Sequence, residues 1–463
     1  MPTPTRGPVH YHFSGIAGAG MNPLAQLMRT RGHRVQGSDR SLDQGKHQEL
    51  AARLRGMGIN LLPHDGTAVR PGIDRFVYST AVEADTPEMR SARAFGIDLV
   101  PRPALLAEAV NTGRPGVAIA GTSGKSTVTA MLGWLLRESG LPATVIGGAG
   151  LAGEGGTSCF TAGPANGPVV VEACESDGTL VGYEPSIGLV HNISRDHAEL
   201  ESLRAQFGAF ARNCSRLLVN AACPEAAAVG RRFHGLSYGT ASDADAGLEV
   251  ISVGPDRAQG RLKVAAGVVT LDVPQPGLHN LENAAAAAMV AVELGIDPDE
   301  VARLLAIFPG VSRRFEVVGV TASGIRVVDD YAHNGEKLRA TLTTAQAGLG
   351  RVVAIFQPHG FGPARFLRPE LKDLLPGILR LEDRFCYAEI FYAGGTVAKD
   401  ISSRALAADL PAMLRCGYAA DHDAASRWAV AEARPGDTVL VMGARDPDLP
   451  RLSRSFFAAL ARA

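Results

Sequence analysis

The sequence predicts an α/β protein of three domains: a Rossmann-like domain over residues 1–110, a P-loop-type central domain with a parallel sheet over 111–310, and a second Rossmann-like domain over 311–463. Three observations carry this expectation. The 463 residues suffice for roughly three domains of ordinary size. Apolar, β-branched runs alternate with helical patterns, the arrangement that builds parallel sheets. Two glycine-rich loops, Gly15 to Gly20 and Gly121 to Gly124, each stand between an apolar strand and a helix.

Composition narrows the class. Apolar residues make up 46% and charged residues 20%, the balance of an ordinary globular protein. A net charge of -1 offers no basic face to nucleic acid or to an anionic membrane. The six cysteines (Cys159, Cys174, Cys214, Cys223, Cys386, Cys416) form no C-x-x-C pair, which argues for reduced thiols rather than a zinc site or a disulfide framework. Met1 to Gly7 lacks an apolar signal core, and no run approaches the roughly 20 apolar residues of a membrane span. A cytoplasmic monomer or homodimer is the expectation.

The first domain opens with a strand from Val9 that runs into Gly15, Gly18, Gly20 and Met21, followed by a helix through Leu24, Leu27 and Met28. A second strand near His33 ends at Gly37-Ser38-Asp39. This β-loop-α-β unit with an acid after its second strand belongs to nucleotide-binding folds. The spacing G-x-x-G-x-G departs from G-x-G-x-x-G, which weakens a nicotinamide reading, and Asp39 could equally cap a helix. Further strands fit Phe76 to Ser79 and Ile97 to Val100, and Asn111 to Gly116 has linker composition.

The central domain is organised around Val117 to Leu132. A buried strand, Val117 to Ala120, enters the loop Gly121-Thr122-Ser123-Gly124-Lys125, and a helix begins near Ser126. The glycines let successive N–H groups converge on an anion at a positive helix end. Lys125 can reach terminal phosphates, and a hydroxyl of Ser126 or Thr127 can ligate Mg²⁺. Downstream, Val169 to Asp177 is a strand ending in carboxylates, including Glu172. Ile187 to His197 is another, ending in Asn192 and the pair Asp196-His197. Strand ends beside a phosphate loop are where such sheets place ligands. A helix is expected over Glu201 to Arg212, a strand over Arg216 to Asn220, and short strands with turns over 245–275. Pro276-Gly277 opens an alanine-rich helix carrying Asn280 and Asn283 on one face.

The third domain carries Ser312-Arg313-Arg314-Phe315, then a strand into Asp329-Asp330-Tyr331-Ala332-His333-Asn334. Later come Phe356-Gln357-Pro358-His359-Gly360 with Pro363 and Arg365, the run Glu389 to Gly395, and a strand from Asp437 into Gly443.

Together these motifs resemble the Mur ligases. Gly121-Thr-Ser-Gly-Lys-Ser126 is similar to that family's shortened ATP loop. Glu172-Ala-Cys-Glu-Ser-Asp177 resembles E-A-D-E-S-D, Asn192 to His197 resembles N-I-x-x-D-H, and Gly277 to Ala284 carries G-x-H-N-x-x-N-A. Gly15 to Met21 and Val77 to Ala81 resemble the UDP-sugar domain of the members that add L-alanine to UDP-N-acetylmuramate. The resemblance covers essentially the whole chain. It implies an ATP-dependent amide ligase of peptidoglycan biosynthesis, in which a carboxylate is activated as an acyl phosphate and captured by the amine of a small amino acid. It implies Lys125, Glu172, His197, Arg314, Asp330 and His333 as catalytic residues. ATP would be held by Gly121 to Thr127, Asn280, Asn283, Arg314 and Asp330. A metal, Mg²⁺ or with a histidine ligand also Mn²⁺, would sit on Ser126, Glu172 and His197. UDP-N-acetylmuramate and the amino acid would be bound by Gly15, Gly18, Gly20, Met21, Ser38, Asp39, Ser79, Thr80, Asn192, His359 and Arg365. The chain departs from the family at Cys174, at His333-Asn334-Gly335 where H-H-P is usual, at Gly360 and Pro363 where basic residues are usual, and at Gly395. These changes concern mainly the acceptor. A ligase that recycles wall tripeptide and a catalytically idle homologue are the alternatives.

Overall fold

The structure is a computed structural model that describes residues 7–79, 85–154, 159–175, 178–194, 199–348, 350–392 and 398–462. It contains three sheets. The first has five parallel strands in the spatial order Asn60–Leu62, Arg34–Ser38, His10–Ser14, Arg75–Tyr78, Asp98–Pro101. Its first turn is tight for a steric reason. A Cβ on Gly37 would lie 2.6 Å from the Phe13 carbonyl oxygen and 2.7 Å from Ile16 Cδ1, so only glycine lets the second strand pass under the loop.

The central sheet has ten strands. At its heart Gly116–Ala120 lies between Ile187–Val190 and Val169–Ala173, all parallel. Ala120 is level with both Ala173 and Val190, so the phosphate loop, Cys174 and His191 leave the sheet at one height. That register gathers the site. The expected short strands over 245–275 form an antiparallel meander, Ala246–Val253, Ala258–Val264 and Gly267–Val273. Against it packs the helix Leu278–Glu293, which also lies on the phosphate-loop helix Lys125–Glu138. Ala284 to Ala288 are fully buried. Their small side chains allow the helix to approach closely, as ridge-and-groove packing at short distance requires.

The third sheet runs Glu316–Val320, Arg326–Asp330, Thr438–Gly443, Val352–Gln357, Arg384–Ala388, Gly417–Ala419, parallel except for its first pair. Helices Gly335–Gln346 and Phe361–Ile378 cover one face, and His422–Glu432 and Leu449–Leu460 the other. Thr438–Gly443 therefore sits where the helices change sides, and the crevice at its carboxyl end is the natural ligand position. The chain crosses from the central sheet to the third at 310–315, held by Ala152 N–H to Gly310 O (3.0 Å) and Ser312 N–H to Gly150 O (2.8 Å). Arg326 pairs with Asp256 at 2.5 Å, tying the third sheet to the meander. Among the described residues, no helix is long and apolar enough to cross a membrane.

Candidate active site

A cavity of about 480 Å³ lies between the central and third sheets. The phosphate loop, Glu172, Glu175, Asn192, Asn280 and Asn283 line one wall; Arg314, Asp330, His333 and Lys337 line the other.

Gly121 and Gly124 adopt φ of 151° and 80°, and Gly124 ends the loop as the cap of the helix Lys125–Glu138. Asn192 braces the loop. Its Oδ1 accepts from Thr122 Oγ1 (3.0 Å) and Ser123 N–H (2.8 Å), and its Nδ2 donates to Ser123 O (3.1 Å). The structure thus places Asn192 against the loop itself. Ser194 closes the clamp through Thr122 Oγ1 at 3.0 Å. Lys125 is buried; its Nζ donates to Gly121 O (2.5 Å) and Glu175 Oε2 (2.8 Å). Burial works against the ammonium, but the charges of Glu175 and Glu172 outweigh it and raise the lysine above its ordinary value. Lys125 stays charged at neutral pH.

Ser126 Oγ donates to Glu172 Oε1 at 3.0 Å, and Glu172 Oε2 accepts from Gly148 N–H at 2.7 Å. The hydroxyl and the carboxylate are hard oxygen donors at a helix start, a set that suits Mg²⁺. His197, the third expected ligand, lies outside the described residues, as does Thr80. Among the described residues, no group of three or more His, Cys, Asp or Glu side chains gathers as a metal site. Mg²⁺ needs only one or two protein oxygens beside phosphates and water, so the pair is sufficient.

On the facing wall, Arg313 and Phe315 take left-handed φ of 59° and 51°. Such conformations persist in non-glycine residues only where the surroundings hold them. Arg313 supplies the hold: its guanidinium donates to Gly443 O (2.7 Å), Ala444 O (3.0 Å) and Asp329 Oδ1 (3.3 Å). Asp330 supplies the rest, accepting from Phe315 N–H (2.7 Å), Ala332 N–H (2.8 Å) and Thr341 Oγ1 (2.9 Å). The strained turn presents Arg314 to the cavity, stacked 4.8 Å over the Tyr331 ring. Burial pushes Asp329 up to about 6 against the opposing pull of Arg313.

His333 Nδ1 lies 2.9 Å from Tyr331 O. A carbonyl only accepts, so Nδ1 carries the proton and Nε2 is the basic nitrogen. Burial, helped by Lys337, lowers His333 to about 4 and keeps the ring neutral. His359 is edge-on at 5.6 Å, and burial lowers it too. Arg365 is elsewhere occupied: its guanidinium pairs with Asp400 and donates to Ala398 O (3.4 Å) at an exposed position.

In the first sheet Gly15 takes φ of 77°, and the N–H groups of Gly15 and Ile16 both donate to Ser38 O, at 2.8 and 3.0 Å. Gly18 N–H returns to Gly15 O at 3.0 Å, and Met21 begins the helix Met21–Thr30 at Gly20. Asp39 caps a short helix through Ser41 N–H (2.8 Å) and holds the loop through Ala17 N–H (2.9 Å). Ser38 is fully buried and donates to Glu88 at 2.5 Å. Ser79 follows the strand Arg75–Tyr78 at the same edge. Sequence reasoning missed the buried cluster beneath this loop. Glu88 also accepts from Ser14 (2.5 Å), His12 (3.2 Å) and His64 (3.1 Å). Burial opposes the Glu88 charge, but the two histidines and serine hold the carboxyl well below its usual range, and Glu88 raises His64. The only sequence signal was Thr86-Pro-Glu88, a helix start. Lys337, Glu336 and Thr341 in the cavity wall were missed as well.

Family profiles match along the chain: "Mur ligase family, catalytic domain" over residues 10–114, "Mur ligase middle domain" over 119–291, and "Mur ligase, glutamate ligase domain" over 313–445. A UDP-N-acetylmuramate–L-alanine ligase from Caulobacter vibrioides is 36% identical over 461 residues, covering 95% of this chain and 94% of its own. One from Xanthomonas oryzae pv. oryzae is 34% identical, covering 94% and 92%. The crystal structure of UDP-N-acetylmuramate-alanine ligase from Thermotoga maritima superposes with a TM-score of 0.76 at 25% identity, covering 97% of this chain and 98% of that one. A murein peptide ligase from Psychrobacter arcticus shares the fold, with a TM-score of 0.67 at 21% identity and coverage of 98% and 99%. With its three α/β domains and its phosphate loop facing Arg314 across the cavity, the chain belongs to the Mur ligase family.

Proposed function

We propose that the protein joins L-alanine to the carboxylate of UDP-N-acetylmuramate at the expense of ATP, a cytoplasmic step of peptidoglycan synthesis. The observation that carries this reading is the convergence of Lys125, Glu172, Arg314 and His333 on one cavity between two domains. Residues 1–110 would hold the UDP-sugar on the Gly15–Met21 loop, 111–310 the ATP, and 311–463 the amino acid.

The phosphate-loop N–H groups and Lys125 would bind the β- and γ-phosphates, and Arg314 would neutralise charge from the opposite wall. Positioning and charge neutralisation supply most of what phosphoryl transfer needs. The substrate carboxylate attacks the γ-phosphorus, ADP departs, and an acyl phosphate remains. Mg²⁺ on Ser126 and Glu172 would add positive charge beside the phosphates. The amine nitrogen then attacks the acyl carbon, phosphate leaves, and His333 Nε2 accepts the amine's proton. Its neutral state at pH 7 suits it to that role. Lys125 must exchange Glu175 for phosphate when ATP enters.

The acceptor wall favours a second reading of the amine. Gly360 and Pro363 bring no cation to it, and Arg365 is paired with Asp400. Phosphate release from ATP, with UDP-N-acetylmuramate present, tests both. Release dependent on L-alanine supports the first reading; release only with wall tripeptide supports a recycling ligase. No release with either overturns both readings.

A further inference from the structure

We propose that His191 is a positioning residue for the nucleotide end of the cavity. Its imidazole, protonated on Nε2, is the middle link of a one-way hydrogen-bond chain from Tyr238 through Asn283 and Asn280 to the Pro276 carbonyl. The chain sets which groups the two asparagine amides offer to ATP. This rests on the reading of the cavity as an ATP site.

The direction follows from the end that cannot vary. The Pro276 carbonyl only accepts, so the Asn280 amide at 2.8 Å donates from Nδ2, and its Oδ1 is left to accept. Asn283 Nδ2, at 3.4 Å, donates to that oxygen. Asn283 Oδ1 therefore turns the other way. There a Cβ built on Gly124 would lie 2.5 Å from Asn283 Oδ1 and 3.1 Å from His191 Nε2, so oxygen and imidazole meet under the phosphate loop. Nε2 donates to Asn283, Nδ1 must accept, and the Tyr238 hydroxyl donates to it at 2.6 Å. Tyr238, His191, Asn280 and Asn283 are at most 6% exposed, so water does not compete for these groups. Burial keeps Tyr238 protonated and holds His191 neutral, near 4.

Two consequences follow. Each Nδ2 spends one of its two N–H bonds within the chain and keeps the other, and that remaining N–H recognises acceptor atoms of the nucleotide. And His191 with Asn283 forms the floor beneath Gly124, where no Cβ fits. Without His191 the Asn283 amide could turn over and exchange its oxygen for nitrogen at the binding face.

The test is steady-state kinetics with varied ATP on the full chain. His191→Leu removes the donor and should raise KM for ATP about tenfold, the effect of orphaning a buried acceptor, while kcat changes less than about twofold. His191→Gln, whose amide can donate from a similar reach, should recover most of that loss. Nitrogen-15 spectra of the imidazole should show the Nε2–H tautomer, and Tyr238→Phe should mix in the other form. Equal KM values for the Leu and Gln variants overturn the proposal, as does an Nδ1–H tautomer. A wild-type protein that binds no ATP by calorimetry overturns instead the underlying reading of the cavity.

Discussion

At the nucleotide end of the cavity, polar side chains hold one another: Asn192 clamps Thr122 and Ser123, Glu172 holds Ser126, and Lys125 is wedged between Glu175 and the loop. The acceptor end is built differently. Two neutral histidines stand edge to face, Gly360 and Pro363 carry no charge, and Arg365 is bound to Asp400. A preorganised phosphate site is useful because the charge it meets is the same in every turnover. If the proposed roles are right, substitutions at the two ends should therefore affect ATP use and acceptor use separately.

The largest effect should come from breaking the rigid end. Lys125→Ala should lower ADP formation on the order of a thousandfold, the upper range for losing one preorganised charge donor, read by coupled ADP assay. A loss under tenfold would mean that the loop's N–H groups suffice.

Acid stability comes next. His191 falls from an ordinary 6.5 to about 4 on folding. Between those values the unfolded chain takes up a proton that the folded chain refuses, so stability rises with pH across this window and is lost on acidification through it. The full difference is roughly 3 kcal/mol. Denaturant titrations from pH 7 to pH 4 should show a shallower pH dependence in His191→Gln by an amount of that order, and identical slopes would refute the assignment.

At the acceptor end, His333→Ala should reduce amide formation roughly a hundredfold, a typical general-base contribution. Acyl phosphate formation, trapped with hydroxylamine, should persist. Loss of both steps together would move His333 to the phosphoryl chemistry. Arg365→Ala should change KM for the amino acid least, less than about threefold, because an exposed ion pair contributes little. A tenfold rise would show that Arg365 leaves Asp400 for the acceptor and would sharpen the contrast into one between open and closed forms.

Much of the molecule was readable from its residues. The strand Arg216–Asn220 falls where its apolar run predicts, and the helices expected over 201–212 and after Gly277 appear as Leu200–Asn213 and Leu278–Glu293. Glycine positions announced the phosphate loop because only glycine tolerates its φ values. The partners that such residues take were not readable: Asn192 clamps the phosphate loop, and Asp39, for which a helix cap was one reading, caps a helix and also ties down Ala17. Both do local work that a motif cannot distinguish from ligand contact.

By itself the sequence determined the fold class, the phosphate cradle and the set of groups able to transfer a phosphoryl group, since these depend on backbone freedom, hydrophobic period and residue chemistry within short stretches. Only tertiary structure decided which of those groups are free. Glu88 gathers His12, Ser14, Ser38 and His64 from three separate stretches, and His191 finds Tyr238 and Asn283 from two more. A hydrogen bond joins atoms by distance and direction, and those are properties of packed strands and helices rather than of neighbours along the chain.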